Sequence, residues 1–514
     1  MPQYTRRGFL EAGLGTAAIG SIAGCSSNAD QTTIVIGGSY IPESIDPVTH
    51  SGGPLGRIGV YESLFRVTRD VGIEPQLADE WHVSPDGTTW TIGIRDGVQF
   101  HDGTSLMSEA VAFSLSRAFD EASLLSPLPV ESISATDTHE VVITTGERFA
   151  PLPSYLAHRY ATVISQSSIS DSDGFVEPVG TGPYMFDSWE SGKSITATKN
   201  SDYYGSSPQV DRVVYEGIRD NQTKVSSLDA GESDIVVNLP VSAMERISRA
   251  EDTRTQTTRT PQSRFLAYNV REPPFDDLRV RQAVNHAIDT QTIARTILEG
   301  IGDPAIGPFS PELTGWANDE LEPYEYSPDR ARSLLAEAGW TLEADGDELR
   351  HRDGTPFDVV LRTYTRRPEL RIIATAIQNQ LRAVGINVEI NITEWSALNE
   401  DMQAGETDFS LLSFNFFWVP DPDRAMSFYH SEDTQIYTGY EDSEVDDLIE
   451  RGRRTTDDDE RKRIYERVQE IVHDDTPLGM LTYSETVTGI RNRIEDFTLH
   501  PTMYSHGVQN IRLH

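Results

Sequence analysis

Cysteine is nearly missing from this chain of 514 residues: Cys25 is the only one. A lone cysteine excludes an intramolecular disulfide framework and any Cys-based metal cluster. Lysine is scarce too, confined to Lys193, Lys199, Lys224 and Lys462, so arginine supplies nearly all the positive charge. Positive charge is itself short, with 43 Lys+Arg against 81 Asp+Glu and a formal net charge of −38. Such a surface repels nucleic acid and anionic lipid. Acidic residues spread along the whole chain, with few lysines, fit a protein kept hydrated in concentrated salt, where mutual repulsion is screened; a halophile-type protein is expected. Past residue 25 no apolar run reaches the roughly 18 residues of a membrane span.

Enzyme signatures are missing as well. No H-E-x-x-H and no G-x-S-x-G occurs. Ser191-Gly192-Lys193-Ser194 has only the end of a phosphate loop, because Asp187 stands where its first glycine belongs, and it reads as a turn. Gly180-Thr181-Gly182 lacks the third glycine of a dinucleotide fingerprint, since position 185 is Met185. His101-Asp102 reads as a turn pair, and Asp457-Asp458-Asp459-Glu460 as the acidic first turn of a helix. No catalytic residue, metal ligand or cofactor is expected.

What is present begins with an address. Arg6 and Arg7 precede Gly8-Phe9-Leu10 and a weakly apolar Gly/Ala-rich run that ends in Ile22-Ala23-Gly24-Cys25. Twin arginines before a short apolar segment read as a Tat export signal, and small residues before a cysteine as a lipoprotein cleavage site. The expectation is a signal peptide over 1–24 and lipid on Cys25. Residues 25–31 would then tether the body to the outer face of the cytoplasmic membrane.

The body alternates strand and helix signals and predicts an α/β protein with mixed sheets in more than one domain. Thr33-Ile34-Val35-Ile36-Gly37 reads as a buried strand. Trp81-His82-Val83 and Thr89 to Ile94 flank a Pro85-Asp86-Gly87 turn as a hairpin. Helices are expected from Ser108 with Ser105 or Ser108 as N-cap, over Arg279 to Leu298 with a break at Asp289-Thr290, and over Pro328 to Ala338. Two more spans follow, Glu369 to Val384, and Asp442 to His473 as two helices. One segment stands apart: Ser413-Phe414-Asn415-Phe416-Phe417-Trp418-Val419-Pro420-Asp421-Pro422-Asp423. Clustered aromatics at a strand-to-loop exit suit a concave ligand site, and suit equally a core that ends in an ordinary turn.

Several motifs in order resemble one family. Tyr61-Glu62-Ser63-Leu64, Pro75 to Trp81 and Ile94 to Gly103 are followed by Gly180-Thr181-Gly182-Pro183-Tyr184, Asn200 to Tyr204 and Gly231-Glu232-Ser233-Asp234. Val280-Arg281-Gln282-Ala283-Val284, Leu334 to Gly339, Glu394-Trp395 and Asp421-Pro422 continue the series. They resemble the extracytoplasmic solute-binding proteins of ABC importers, peptide/nickel-binding family (family 5), over nearly the whole mature chain.

The resemblance implies a two-lobed periplasmic-binding-protein-like fold, of the type II large three-domain variety, with a hinged ligand cleft. Lobe I would comprise 32–55, 178–262 and 488–514, with an accessory domain at 56–177 attached to it; lobe II would run over 263–487. It implies a monomeric lipid-anchored receptor that captures an oligopeptide or similar small solute and delivers it to a membrane permease. Alternatives are an oligosaccharide or nickel-chelate receptor and, further off, an exported hydrolase. In peptide-binding members an aspartate three positions before the Asp of the Asp-Pro pair holds the ligand's α-ammonium group. That position is Trp418 here, or Phe417 one residue away. Candidate ligand contacts are therefore Tyr40, Arg366, Arg367, Glu369, Trp395, Asn415, Phe416, Phe417, Trp418, Asp421 and Asp423.

Overall fold

The computed structural model describes residues 32–49, 52–170, 174–342, 349–432 and 436–514. Arg6, Arg7, Cys25 and the expected signal and tether lie outside the described residues. A mixed sheet of ten strands forms the spine. At one end, Tyr184–Glu190, Ser194–Lys199 and Arg212–Gly217 form an antiparallel run. Thr33–Gly38 then pairs in parallel with both Arg212–Gly217 and Ile235–Val237. At the other end, Asp358–Tyr364 pairs in parallel with Asn387–Thr393 and Phe409–Asn415.

Two long antiparallel strands, Thr253–Tyr268 and Leu478–Arg491, join these ends. The ten strands from both ends thus form one continuous sheet, separate from a four-stranded sheet and smaller ones. Its register breaks between Thr260 and Ser263, at Pro261, where the ring removes a ladder donor.

Helices follow the sequence signals closely. Pro368–Arg382 starts on a proline at its N-terminus and buries Leu370, Ile373, Ala374, Ile377 and Leu381 along one stripe. Each fully buried Ile or Leu there is worth about 1.5–3 kcal/mol. Asp458–Asp475 is capped by Asp457, whose carboxylate accepts from the Glu460 N–H at 2.9 Å, with three acidic residues in its first turn. Arg279 to Leu298 breaks as expected: Leu278–Ala287 ends, and Asp289 caps a new turn at Thr290–Thr292. One expectation is corrected. Helix Ser108–Glu121 has Met107 at its N-cap position and no side-chain cap, because the Ser108 hydroxyl donates instead to the Asp137 carbonyl and ties the helix to the neighbouring sheet.

That neighbouring sheet has four antiparallel strands in the order Ala78–Val83, Thr89–Ile94, Glu140–Thr145, Val130–Asp137. Its core gathers Trp90, Ile92, Leu115, Phe119, Val141 and Ile143. Three other cores flank the spine, one around Ile34, Ile36, Tyr215 and Phe497, one around Phe265, Phe409, Ile373 and Val468, and a smaller one around Leu228, Val236, Ile247 and Val487. Val419, far along the chain, is fully buried within the core of residues 64–179. No helix among the described residues is long and apolar enough to cross a membrane.

Candidate functional site

The chain leaving Thr33–Gly38 presents Tyr40 in a fixed pose. The buried Tyr215 hydroxyl donates to the Tyr40 carbonyl at 2.9 Å and accepts from its N–H at 3.2 Å. Gly38 permits this approach, since a Cβ there would come within 2.5 Å of the Tyr215 hydroxyl. Arg57, at the end of the short helix Gly53–Arg57, lays its guanidinium 3.6 Å from the Tyr40 ring centroid and is only 6% exposed. Its carbonyl accepts from the His506 N–H.

Arg159 opens a 3-10 turn and donates to the Thr49 carbonyl (3.1 Å) and the Tyr160 hydroxyl (3.0 Å). Its guanidinium lies 4.3 Å from the Tyr160 ring and 5.4 Å from the Trp418 ring. The fully buried His158 ring stands edge-on to Trp418 and to Tyr504, and the Tyr504 hydroxyl donates to the Trp418 carbonyl. Five segments distant in sequence thus meet around residues 40, 57, 158–160, 418 and 504.

The electrostatics are lopsided. The charge of Arg57, with those of Arg367 and Arg159, lowers the Tyr40 phenol from its usual value. Burial, reinforced by the charge of Arg57, lowers Arg159. His158 is held well below its usual value by burial and by Arg159, and His506 at about 3 by burial and by Arg57, so both rings are neutral. Among the described residues Arg57, Arg159, Arg366 and Arg367 have no carboxylate partner. The buried Lys224 donates to the Ser39 hydroxyl, next to Tyr40 in the chain, at 2.6 Å and to the Asn238 carbonyl at 3.1 Å.

Glu369 faces Arg264 at 3.6 Å. Arg366 lies over the Tyr364 ring at 5.9 Å, and Trp395 packs edge-on against the same ring at 5.1 Å. The Asn415 side-chain oxygen accepts from the Phe417 N–H at 2.9 Å and shapes the turn after strand Phe409–Asn415. Phe416 and Phe417 are each 1% exposed. Phe416 packs on Phe265 and Phe428, and Phe417 on Phe309. Asp421 takes two hydrogen bonds from Arg461, at 2.8 and 3.2 Å, and Asp423 one from Arg453 at 3.1 Å. Both carboxylates are buried.

The structure therefore brings Tyr40 and Trp418 together, and Arg367 close enough to act on Tyr40. It sets Phe416, Phe417, Asp421 and Asp423 behind them, against other protein groups. Sequence reasoning missed Arg57, Arg159, His158 and Tyr504. Arg159 alone carried a signal, a charge in the apolar stretch from Tyr155 to Val163.

The most recognisable motifs do other work. The buried Glu62 carboxylate accepts from Thr181, Tyr203, Tyr204 and Gln76, tying four motif segments together. Gly180 passes so near the Val60 carbonyl that a Cβ would lie 2.2 Å from its oxygen. Asp102 accepts from Thr104, Ser165 and Ser167, the turn expected of it. No group of three or more His, Cys, Asp or Glu among the described residues is placed to hold a metal ion. A cavity of about 50 Å³ lies elsewhere, lined by Tyr324, Tyr429, His473, Thr476 and Met480, with room for water but not for an oligopeptide.

Comparison with known proteins accords with this architecture. A family model for "Bacterial extracellular solute-binding proteins, family 5 Middle" matches residues 72–435. The oligopeptide-binding protein AppA of Bacillus subtilis (strain 168) is 26% identical over 457 residues, 86% of this chain and 84% of that protein. The glutathione-binding protein GsiB of Escherichia coli (strain K12) is 25% identical over 515 residues, 96% of each. The crystal structure of NikA from Brucella suis in complex with Fe(III)-EDTA shares the fold, with a TM-score of 0.85 at 24% identity, covering 94% of this chain and 100% of that one.

Proposed function

We propose, for a chain that belongs to the bacterial extracellular solute-binding proteins of family 5, that it is the lipid-anchored receptor of an ABC importer. It is a binding protein and not an enzyme. In this reading a small solute is enclosed between lobe I (32–55, 178–262, 488–514, with 56–177 attached) and lobe II (263–487), then handed to a permease. The register break at Pro261 in the long strands is the natural hinge, since the chain passes between the two lobes only in these strands. Lipid on Cys25 keeps the monomeric receptor near its permease at high local concentration.

One observation carries the placement of the cleft: Trp418 of the second lobe is held by Tyr504, His158 and Arg159 of the first, beside Tyr40 and Arg57. Ligand contacts are then Tyr40, Trp418 and Arg367, with Arg366, Glu369, Trp395 and Asn415 at the edge. Phe416, Phe417, Asp421 and Asp423 fix the loop that carries Trp418. An oligopeptide or other small solute is the cargo; AppA and GsiB are named for oligopeptide and glutathione binding. The test is thermal unfolding of the purified protein with defined peptide and small-solute mixtures, followed by recovery of the ligand. Stabilisation with the solute recovered intact is expected. Turnover of the solute would overturn the reading.

A further inference from the structure

We infer that the receptor is latched shut from outside the cleft, by Val419 of lobe II seated in the accessory domain, so that the two lobes stay together without cargo. The inference rests on the receptor reading for its lobes and goes beyond it.

The accessory segment 56–177 is fastened to lobe I: buried Glu62 accepts from Thr181, Tyr203 and Tyr204, and Arg117 meets Asp46 at 2.6 Å. It nevertheless reaches across to lobe II. Val419 is fully buried in the same core as Phe149, Leu152 and Tyr155. From the same stretch the Ala150 N–H donates to the Arg453 carbonyl at 2.8 Å, and the Ser154 hydroxyl to the Asp421 carboxylate at 3.5 Å. Arg454 pairs with Glu147 at 3.5 Å on the rim.

Charge on the lobe II side is settled within that lobe. Asp421 is bonded to Arg461 and Asp423 to Arg453, so what meets the accessory domain is an apolar knob beside neutralised carboxylates. On the other side, burial and Asp423 raise the Tyr155 phenol, which stays protonated and brings no charge. Covering Val419 therefore removes apolar surface from water without stripping an unpaired ion of its solvent.

Opening reverses this. Swinging lobe II away at Pro261 uncovers Val419 and its seat, and sends the Ala150 N–H and the Arg453 carbonyl to water. Val419, Ala150, Ser154 and Arg453 lie outside the contacts assigned to cargo, so the gain on closing is the same with cargo or without it. Such a contact raises the closed population of the empty receptor itself, and cargo enters on transient opening.

The experiment dialyses the full purified chain in guanidinium below its unfolding transition to strip bound solute, returns it to buffer and records small-angle X-ray scattering. Circular dichroism and a cooperative melt establish that each variant is folded. Stripped wild type is expected to scatter as the closed structure does, and Val419→Asp to show a larger radius of gyration. Val419→Ile keeps the apolar knob and should stay compact. Val419→Ser should expand less than Val419→Asp, and it carries the test where Val419→Asp does not fold. Stripped wild type as expanded as the polar variants overturns the latch, and so do folded polar variants as compact as wild type. Either result leaves the receptor reading standing, because a receptor that opens when empty still binds; that reading falls on turnover of the solute.

Discussion

Two groups of buried or half-buried arginines meet in this protein around one loop, and their partners differ. Arg461 and Arg453 are matched by Asp421 and Asp423, whose proximity along the chain is set by the Pro422 turn. Arg57 and Arg159 meet only rings, carbonyls and hydroxyls. Buried arginines elsewhere also bond only to carbonyls, Arg281 to those of Phe275, Asp276 and Asp475 and Arg350 to those of Trp340 and Val384, so the carboxylate pairs are what sets this loop apart. The loop between residues 415 and 423 therefore joins an end held by ion pairs to an end where Trp418 meets His158, Arg159 and Tyr504.

The contrast breaks first at the paired end. Asp421→Ala leaves Arg461 buried without its carboxylate and should cost about 3–5 kcal/mol in denaturant unfolding. A loss below about 1 kcal/mol would remove the distinction between the two groups.

Acid is the next lever. Burial and Arg57 hold His506 at about 3, and burial holds His500 at about 4, whereas both titrate near 6.5 once unfolded. Between those values the unfolded chain binds more protons, so stability is full above about pH 6.5 and falls as pH drops toward 3. His506→Phe keeps a ring against Tyr215 and should flatten this decline. Parallel wild-type and variant profiles between pH 7 and 4 would refute the assignment.

At the cleft end, Trp418→Ala should weaken solute binding by more than about 1 kcal/mol while m-values stay unchanged. Unchanged affinity would make Trp418 a packing residue only. The smallest effect belongs to the exposed pair of Arg454 with Glu147, 3.5 Å apart. Glu147→Ala should shift stability by no more than about 0.5 kcal/mol.

The local part of this design was legible in the sequence. Caps, prolines and apolar stripes placed Pro368–Arg382, Pro328–Glu337 and Asp458–Asp475 to within a few residues, since such signals act over one or two turns. The two long strands were not visible. Leu478–Arg491 buries Thr482, Ser484, Thr486 and Thr488, and Thr253–Tyr268 is interrupted by Pro261, so neither shows an apolar pattern.

The site divides in the same way. Tyr40 and Trp418 stand just past strands Thr33–Gly38 and Phe409–Asn415, positions that a local reading singles out as candidates. Arg57 and Arg159 meet Tyr40 and Trp418 only through the fold, which gathers segments far apart in sequence. Asp421 and Asp423 show the converse, because the partners of their carboxylates lie about 30 to 40 residues onward, on the helices Ser443–Arg454 and Asp458–Asp475, where a local reading does not reach.

Hydrogen exchange with and without the captured solute tests the central claim most directly. Protection confined to peptides spanning residues 40–57, 158–160, 366–369, 415–419 and 504–506 is the predicted result. Protection confined to the cavity lined by Tyr324, Tyr429 and His473, with these five segments unchanged, would contradict it.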